Sequence, residues 1–216
     1  MKLHYLPLKL RRQSLLFAIC LLTILCACST QIGKPTVKNS NKAINYTPVT
    51  IENCGMKFTY KQPPQRAITL NQPATEIMLA LGLEKYMVGT AYVDNKIPSQ
   101  YQEAYKKVPI LSDKYPSREV LLANEPDFIY GSFPGAFGSD ANRGREDFLS
   151  LRINSYLSPE VRELCKPKVG VLENLYGEIR DIGRIFRVEE QAKKFIASLQ
   201  EQIQEIPEET RKNRDT

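Results

Sequence analysis

The chain has 216 residues, with 30 Lys and Arg against 24 Asp and Glu and one histidine, a length for one good-sized domain and short for two. That histidine, His4, precedes an apolar leader, so beyond the leader Ser-His-Asp and Cys-His catalysis and imidazole zinc sites are excluded. Removing residues 1–27 takes away Lys2, Lys9, Arg11 and Arg12 and no acid. This leaves 26 bases against 24 acids, +2 rather than +6, mixed along the chain with no basic run to meet a nucleic acid.

Lys9, Arg11 and Arg12 precede an apolar run, Ser14 to Leu25, that is too short to span a bilayer comfortably. Leu25-Cys26-Ala27-Cys28 follows and resembles the cleavage box of bacterial lipoproteins, with Cys28 as the acylated residue because Ala27 is small at the cut. A plain secretory signal is the alternative. Acylation predicts an exported protein held on the outer face of the cell membrane by lipid chains. Of the remaining cysteines, Cys54 and Cys165 form the pair available for a disulfide in an oxidising compartment, two separate thiols being the alternative.

Residues 28–47 are rich in Asn, Lys, Ser and Thr and read as a flexible tether. Val49–Glu52 and Met56–Tyr60 alternate around Asn53-Cys54-Gly55 as a hairpin, and Pro63-Pro64 interrupts the chain. Arg66–Leu70 predicts a strand with Ile68 and Leu70 on one face and Ala67 and Thr69 on the other. Asn71-Gln72 is a tight connection, Pro73 suits a helical first turn, and Ala74–Leu81 runs to Gly82 as a helix. Further strands are expected at Tyr86–Ala91, Val108–Leu111, Phe128–Tyr130 and Ile153–Leu157, with helices at Ser117–Ala123 and Arg145–Leu151 and a long loop at Gly131–Asn142. From Val169 onward no strand follows. Leu172, Leu175, Ile179, Ile182 and Ile185 mark one helix; Val188, Ala192, Phe195, Ile196, Leu199 and Ile203 mark a second. The expected division is leader 1–27, tether 28–47, an α/β lobe at 48–168, a helical segment at 169–207 and a polar tail at 208–216.

No phosphate loop, CxxC pair or zinc-ligand spacing is present. Glu76 and Asp94 are the nearest thing to a hydrolytic carboxylate pair, and scattered acids of this kind read as surface or capping groups, so no enzyme is expected.

The blocks TIENCG, PPQRAITLNQPATEIMLALGLEKYMVGTAY, EPDFIYG and LYGEIRDIGRIF resemble the substrate-binding lipoproteins of ABC importers, in the branch that takes up iron–siderophore complexes, haem and cobalamin. The resemblance runs from about Thr50 to Ile206. It implies an α/β fold: the first Rossmann-like lobe of a two-lobed periplasmic binding protein, a parallel sheet flanked by helices. It also implies that Val188–Ile206 is the long helix joining the lobes, with the second lobe absent and the chain truncated or a fragment. Pro73 departs from a commonly polar position. The implied ligand is a ferric-siderophore-type chelate, with haem or cobalamin as the alternative, and the implied partner is a membrane permease met by an acid on the lobe surface, here Glu119. No cofactor is expected apart from such a ligand, and the chain is read as a monomer.

The residues that follow the predicted strands support the same face. Asn71, Gln72, Tyr92, Asp94, Lys114, Tyr115, Tyr130, Ser132, Phe133 and Phe137 would meet at one edge of a parallel sheet. Together with Arg143 and Arg145 they suit a bulky anionic chelate through stacking and charged hydrogen bonds. No protein ligand to the metal is expected, and the missing histidines argue against a free metal-ion binder. A lipoprotein that only docks partners is the remaining class, and it would gain no stability from a ligand.

Overall fold

A computed structural model describes residues 47–160, 162–165 and 169–206. The expected leader, Cys28, nearly all of the tether and the polar tail lie outside them. The chain enters through a hairpin of β1 (Val49–Asn53) and β2 (Met56–Tyr60), in which Asn53 faces Met56 across the turn. Cys54 and Gly55 both have positive φ, 51° and 77°, the two-residue geometry that follows the right-handed twist of paired strands. Alternate residues turn inward, so Ile51, Phe58 and Tyr60 are buried while Glu52, Lys57 and Thr59 are exposed.

The main sheet contains β3 (Ala67–Leu70), β4 (Met87–Ala91), β5 (Ile110–Ser112), β6 (Phe128–Gly131) and β7 (Asn154–Leu157), all parallel, in the spatial order β5-β4-β3-β6-β7. The chain builds outward from β3 to β5 and then crosses back to lay β6 on the other side of β3. This reversal opens a crevice beyond the carboxyl ends of β3 and β6.

Helices α1 (Gln72–Ala80), α2 (Gln102–Tyr105), α3 (Arg118–Ala123), α4 (Ala141–Ser150), α5 (Arg162–Cys165), α6 (Val171–Phe186) and α7 (Glu189–Gln204) complete the described elements. Two cores follow from the alternation along the strands. Ala67, Phe128 and Tyr130 pack with Met78 of α1 and Ile179, Ile182 and Phe186 of α6. Ile68, Leu70 and Ile129 pack with Leu121 of α3 and Phe148 of α4. The two faces expected of β3 are therefore separate cores. Helix α7 doubles back on α6, and the two cross closely: a side chain at Gly183 would come within 2.7 Å of Ala192 Cβ.

The hairpin protects the edge of this sheet. The carboxamide of Asn53 accepts from Leu157 N at 2.8 Å and donates to Leu157 O at 2.9 Å, doing for one residue what a neighbouring strand would do. Arg145 of α4, with no exposed surface, donates to Asn53 Oδ1 (2.6 Å), Asn53 O (3.2 Å) and Ser155 Oγ (3.1 Å). Its guanidinium lies 5.0 Å from the Phe58 ring centroid and 5.9 Å from that of Phe137. Burial lowers its pKa to about 10, which leaves it charged at neutral pH.

Several boundaries differ from the sequence reading, each for a local reason. β5 begins at Ile110 rather than Val108, because Pro109 has no N–H for the ladder. β4 begins one residue late because Glu84–Tyr86 forms a 3₁₀ turn. The expected Gly131–Asn142 loop folds as a 3₁₀ turn over Pro134–Phe137 and then enters α4, whose N-cap Asp140 accepts from Arg143 N at 3.0 Å. α2 and α5 are short helices that no periodic pattern marked.

Candidate functional site

The site is built from the carboxyl ends of β3, β4 and β5. Asn71, between β3 and α1, has φ 81° and ψ 156°. That region is nearly reserved for glycine and costs a side-chain-bearing residue about 1–3 kcal/mol, so its surroundings must hold it there. Its N–H donates to Ala91 O at 2.9 Å, and its carbonyl accepts from Thr75 N at 3.2 Å. The side chain pairs with the Tyr115 hydroxyl, donating through Nδ2 at 3.0 Å and accepting through Oδ1 at 3.1 Å. Tyr92, at the end of β4, also has positive φ, 57°. Its ring meets that of Tyr115 edge-on, centroids 4.7 Å apart, a favoured aromatic geometry.

Tyr92 and Tyr115, both half-buried, and Asn71, only 4% exposed, thus form one platform across three strand ends. Burial raises the Tyr115 pKa, with Tyr92 adding to the rise and the Asn71 hydrogen bond opposing it. The hydroxyl is therefore protonated at neutral pH, a donor as well as an acceptor. Gly135 lets this ring lie against the 3₁₀ turn after β6, since a side chain there would meet Tyr115 Cε2 at 2.9 Å.

The other expected residues sort by exposure. Gln72 accepts from Asn95 N at 2.8 Å and donates to Glu76 Oε1 at 2.7 Å, tying the β4 loop to α1. Asp94 and Lys114, which follow Tyr92 and precede Tyr115, are exposed, and Phe133, just past the end of β6, has 53% of its surface exposed. A cavity of about 500 Å³ opens beside Tyr115 between α3 and α4. Its walls include Phe137, Asp140, Arg143 and the pair Arg118–Asp147, 2.9 Å apart.

Four expected contacts are corrected by burial. Tyr130 is fully buried in the core beneath α6, where its hydroxyl donates to Glu178 Oε1. Its place near the strand end was readable, but not the face to which β6 turns it. Arg145 belongs to the hairpin lock described above. Ser132 is buried, and its Oγ accepts from Ala74 N at 2.9 Å, capping α1 from across the crevice. Phe137 is 5% exposed and forms wall rather than rim. The sequence reading missed Gly135, for which the Pro134-Gly135 step was the available signal, and the buried hydroxyls beneath Asn71, for which there was none.

Glu119 lies exposed in the first turn of α3. The Ser117 hydroxyl, then its own N–H and Arg118, hold its carboxyl below the usual range. The sulfurs of Cys54 and Cys165, 111 residues apart, sit at bonding distance. Among the described residues no group of three or more His, Cys, Asp or Glu is placed to hold a metal ion.

Residues 68–216 match the model of a family described as periplasmic binding protein. An uncharacterized ABC transporter substrate-binding lipoprotein of Bacillus subtilis is 26% identical over 183 residues, covering 82% of this chain and 52% of its own. A periplasmic binding protein from Veillonella parvula superposes with TM-score 0.61 at 31% identity, over 72% of this chain and 52% of the other. A protein of an ABC-type Fe3+-hydroxamate transport system from Saccharomonospora viridis gives TM-score 0.57 at 28% identity, over 72% and 54%. The chain spans about half the length of the relatives it matches.

Proposed function

Since the chain belongs to the periplasmic binding protein family, we propose that it supplies one wall of a solute site and delivers a ferric-siderophore-type chelate to an ABC importer. The observation that carries this reading is the Asn71–Tyr92–Tyr115 platform, set across three strand ends beside the reversal of strand order. A chelate brings its own metal ligands, so the protein needs only aromatic surface and a few hydrogen-bonding groups to hold it. Tyr115 with Asn71 offers both kinds of group at one point, Phe133 extends the apolar rim, and the cavity between α3 and α4 leaves room for a bulky arm. Lys114 and Arg143 supply positive charge for an anionic ligand. The hydroxamate transport relative at 28% identity agrees with this ligand class.

In this reading α7 is the helix that leads toward a second lobe, Glu119 meets an arginine of the permease, and acylated Cys28 keeps the protein at the outer face of the membrane. Cys28→Ala should then release it into the soluble fraction. The ligand test is tyrosine fluorescence, which no tryptophan masks. Ferric desferrioxamine should quench the wild type and should quench Tyr92→Ala and Tyr115→Ala much less. Equal quenching in all three would remove the platform from the site.

A further inference from the structure

Beneath the platform, three threonine hydroxyls close on one another with no exposed surface: Thr69 of β3, Thr75 of α1 and Thr90 of β4. Thr69 Oγ1 lies 2.9 Å from both Thr75 Oγ1 and Thr90 Oγ1, and those two lie 2.8 Å apart. Three hydroxyls carry three protons. Thr75 Oγ1 is also 3.0 Å from the carbonyl oxygen of Asn71, which can only accept, so the Thr75 proton goes there. Thr69 donates to Thr90, and the Thr90 proton is left for Thr75. With Thr69 donating to Thr90 and Thr90 to Thr75, every hydrogen is satisfied and the chain of donation ends on the Asn71 peptide.

Valine has nearly the shape of threonine, so filling the core gives no reason for three hydroxyls in this place. The peptide they serve is the strained one, at φ 81° and ψ 156°, and such a conformation persists only where its surroundings over-determine it. The Asn71 carbonyl already accepts from Thr75 N at 3.2 Å. The hydroxyl is a second donor to the same oxygen from the same residue, and it fixes where that oxygen points.

We infer that Thr75, oriented by Thr69 and Thr90, is a positioning residue that holds the Asn71 peptide in its left-handed conformation and thereby sets the Asn71–Tyr115 pair toward the solute. The inference rests on reading the platform as a solute site. Thr75 touches no ligand; it acts through Asn71.

The test uses protein carrying an isotope label at tyrosine Cζ, with Thr75→Val, Thr75→Ser and Thr69→Val compared to the wild type. Without ligand, Thr75→Val should move the Tyr115 Cζ resonance toward its position in Asn71→Ala, and Thr75→Ser should leave it in place. Thr69→Val should move it less, in the same direction. Ferric desferrioxamine should bind Thr75→Val about tenfold more weakly, the scale of one lost hydrogen bond, and Thr75→Ser nearly as well as the wild type. A Tyr115 resonance that stays put in both valine variants overturns the inference. So does one that moves equally in Thr75→Val and Thr75→Ser, because the hydroxyl then has no part. Failure of the wild type to bind the chelate overturns the solute reading instead, while the ligand-free resonances still decide the positioning role.

Discussion

Glu178 offers the sharpest energetic test of the fold. It lies in α6, 3% exposed, and its two oxygens accept from the hydroxyls of Tyr130 and Ser158, with no cation bonded to it among the described residues. Burial raises its pKa from 4.5 to about 7; the two hydroxyls pull it down, and Glu160 and Asp181 push it up. Asp181, one turn further on, accepts from Tyr156 at 3.2 Å and is itself raised by burial. A group whose folded pKa is raised binds its proton more tightly in the folded state. Its contribution is therefore complete below the unfolded value near 4.5 and is lost as pH rises through about 7. Each unit is about 1.4 kcal/mol, so the full swing is about 3 kcal/mol.

Glu178→Gln removes the titration while keeping the volume and one carbonyl acceptor. The variant should be about 1–3 kcal/mol more stable than the wild type at about pH 8, with the advantage gone at about pH 4.5. Urea unfolding followed by circular dichroism at several pH values reads the difference directly. A variant that is less stable at the alkaline end, or a difference that does not change with pH, would refute the reasoning.

Asn53→Ala strips partners from Arg145 and from both backbone groups of Leu157; it should cost about 2–4 kcal/mol in urea, the penalty for buried groups left unpaired. If Cys54 and Cys165 are bonded, unreduced protein should resist alkylation there, and the Cys54→Ser, Cys165→Ser double variant should lose up to about 4–5 kcal/mol by the chain-entropy estimate for so long a loop. Two alkylatable thiols in the native protein would contradict the bridge. Glu119→Ala should weaken docking to the permease and flatten its salt dependence while leaving stability unchanged within about 0.5 kcal/mol; uptake equal to the wild type would remove this residue from the docking surface.

Local chemistry carried much of the fold into view from the sequence. Ile68 and Leu70 alternate with Ala67 and Thr69: the first two enter one core, Ala67 enters the other, and Thr69 meets Thr75 of α1. Gly82 ends the first helix with φ 70°, and Ser117 caps α3 by accepting from Val120 N. What stayed hidden depends on which strands become neighbours. Tyr130 lies within β6 and turns under α6 on the face it shares with Phe128, whereas Tyr115 comes after the end of β5 and turns onto the platform. Arg145 looked like a free cation because the hairpin that encloses it lies 92 residues away in sequence. Asn71 and Tyr115, 44 residues apart, were expected at one edge of the sheet because each follows a strand, but no spacing rule showed that they bond to each other.

The proposed solute wall can be examined residue by residue, because Tyr92 and Tyr115 stand at the platform while Tyr60, Tyr130 and Tyr156 are buried in the core. Gallium desferrioxamine, a diamagnetic counterpart of the ferric chelate, can be titrated into protein labelled at tyrosine Cζ. The Tyr92 and Tyr115 resonances should shift in a saturable way, while those of the buried Tyr60, Tyr130 and Tyr156 stay in place. Shifts confined to other tyrosines, or none at concentrations that saturate fluorescence quenching, would contradict the assignment of the solute to this platform.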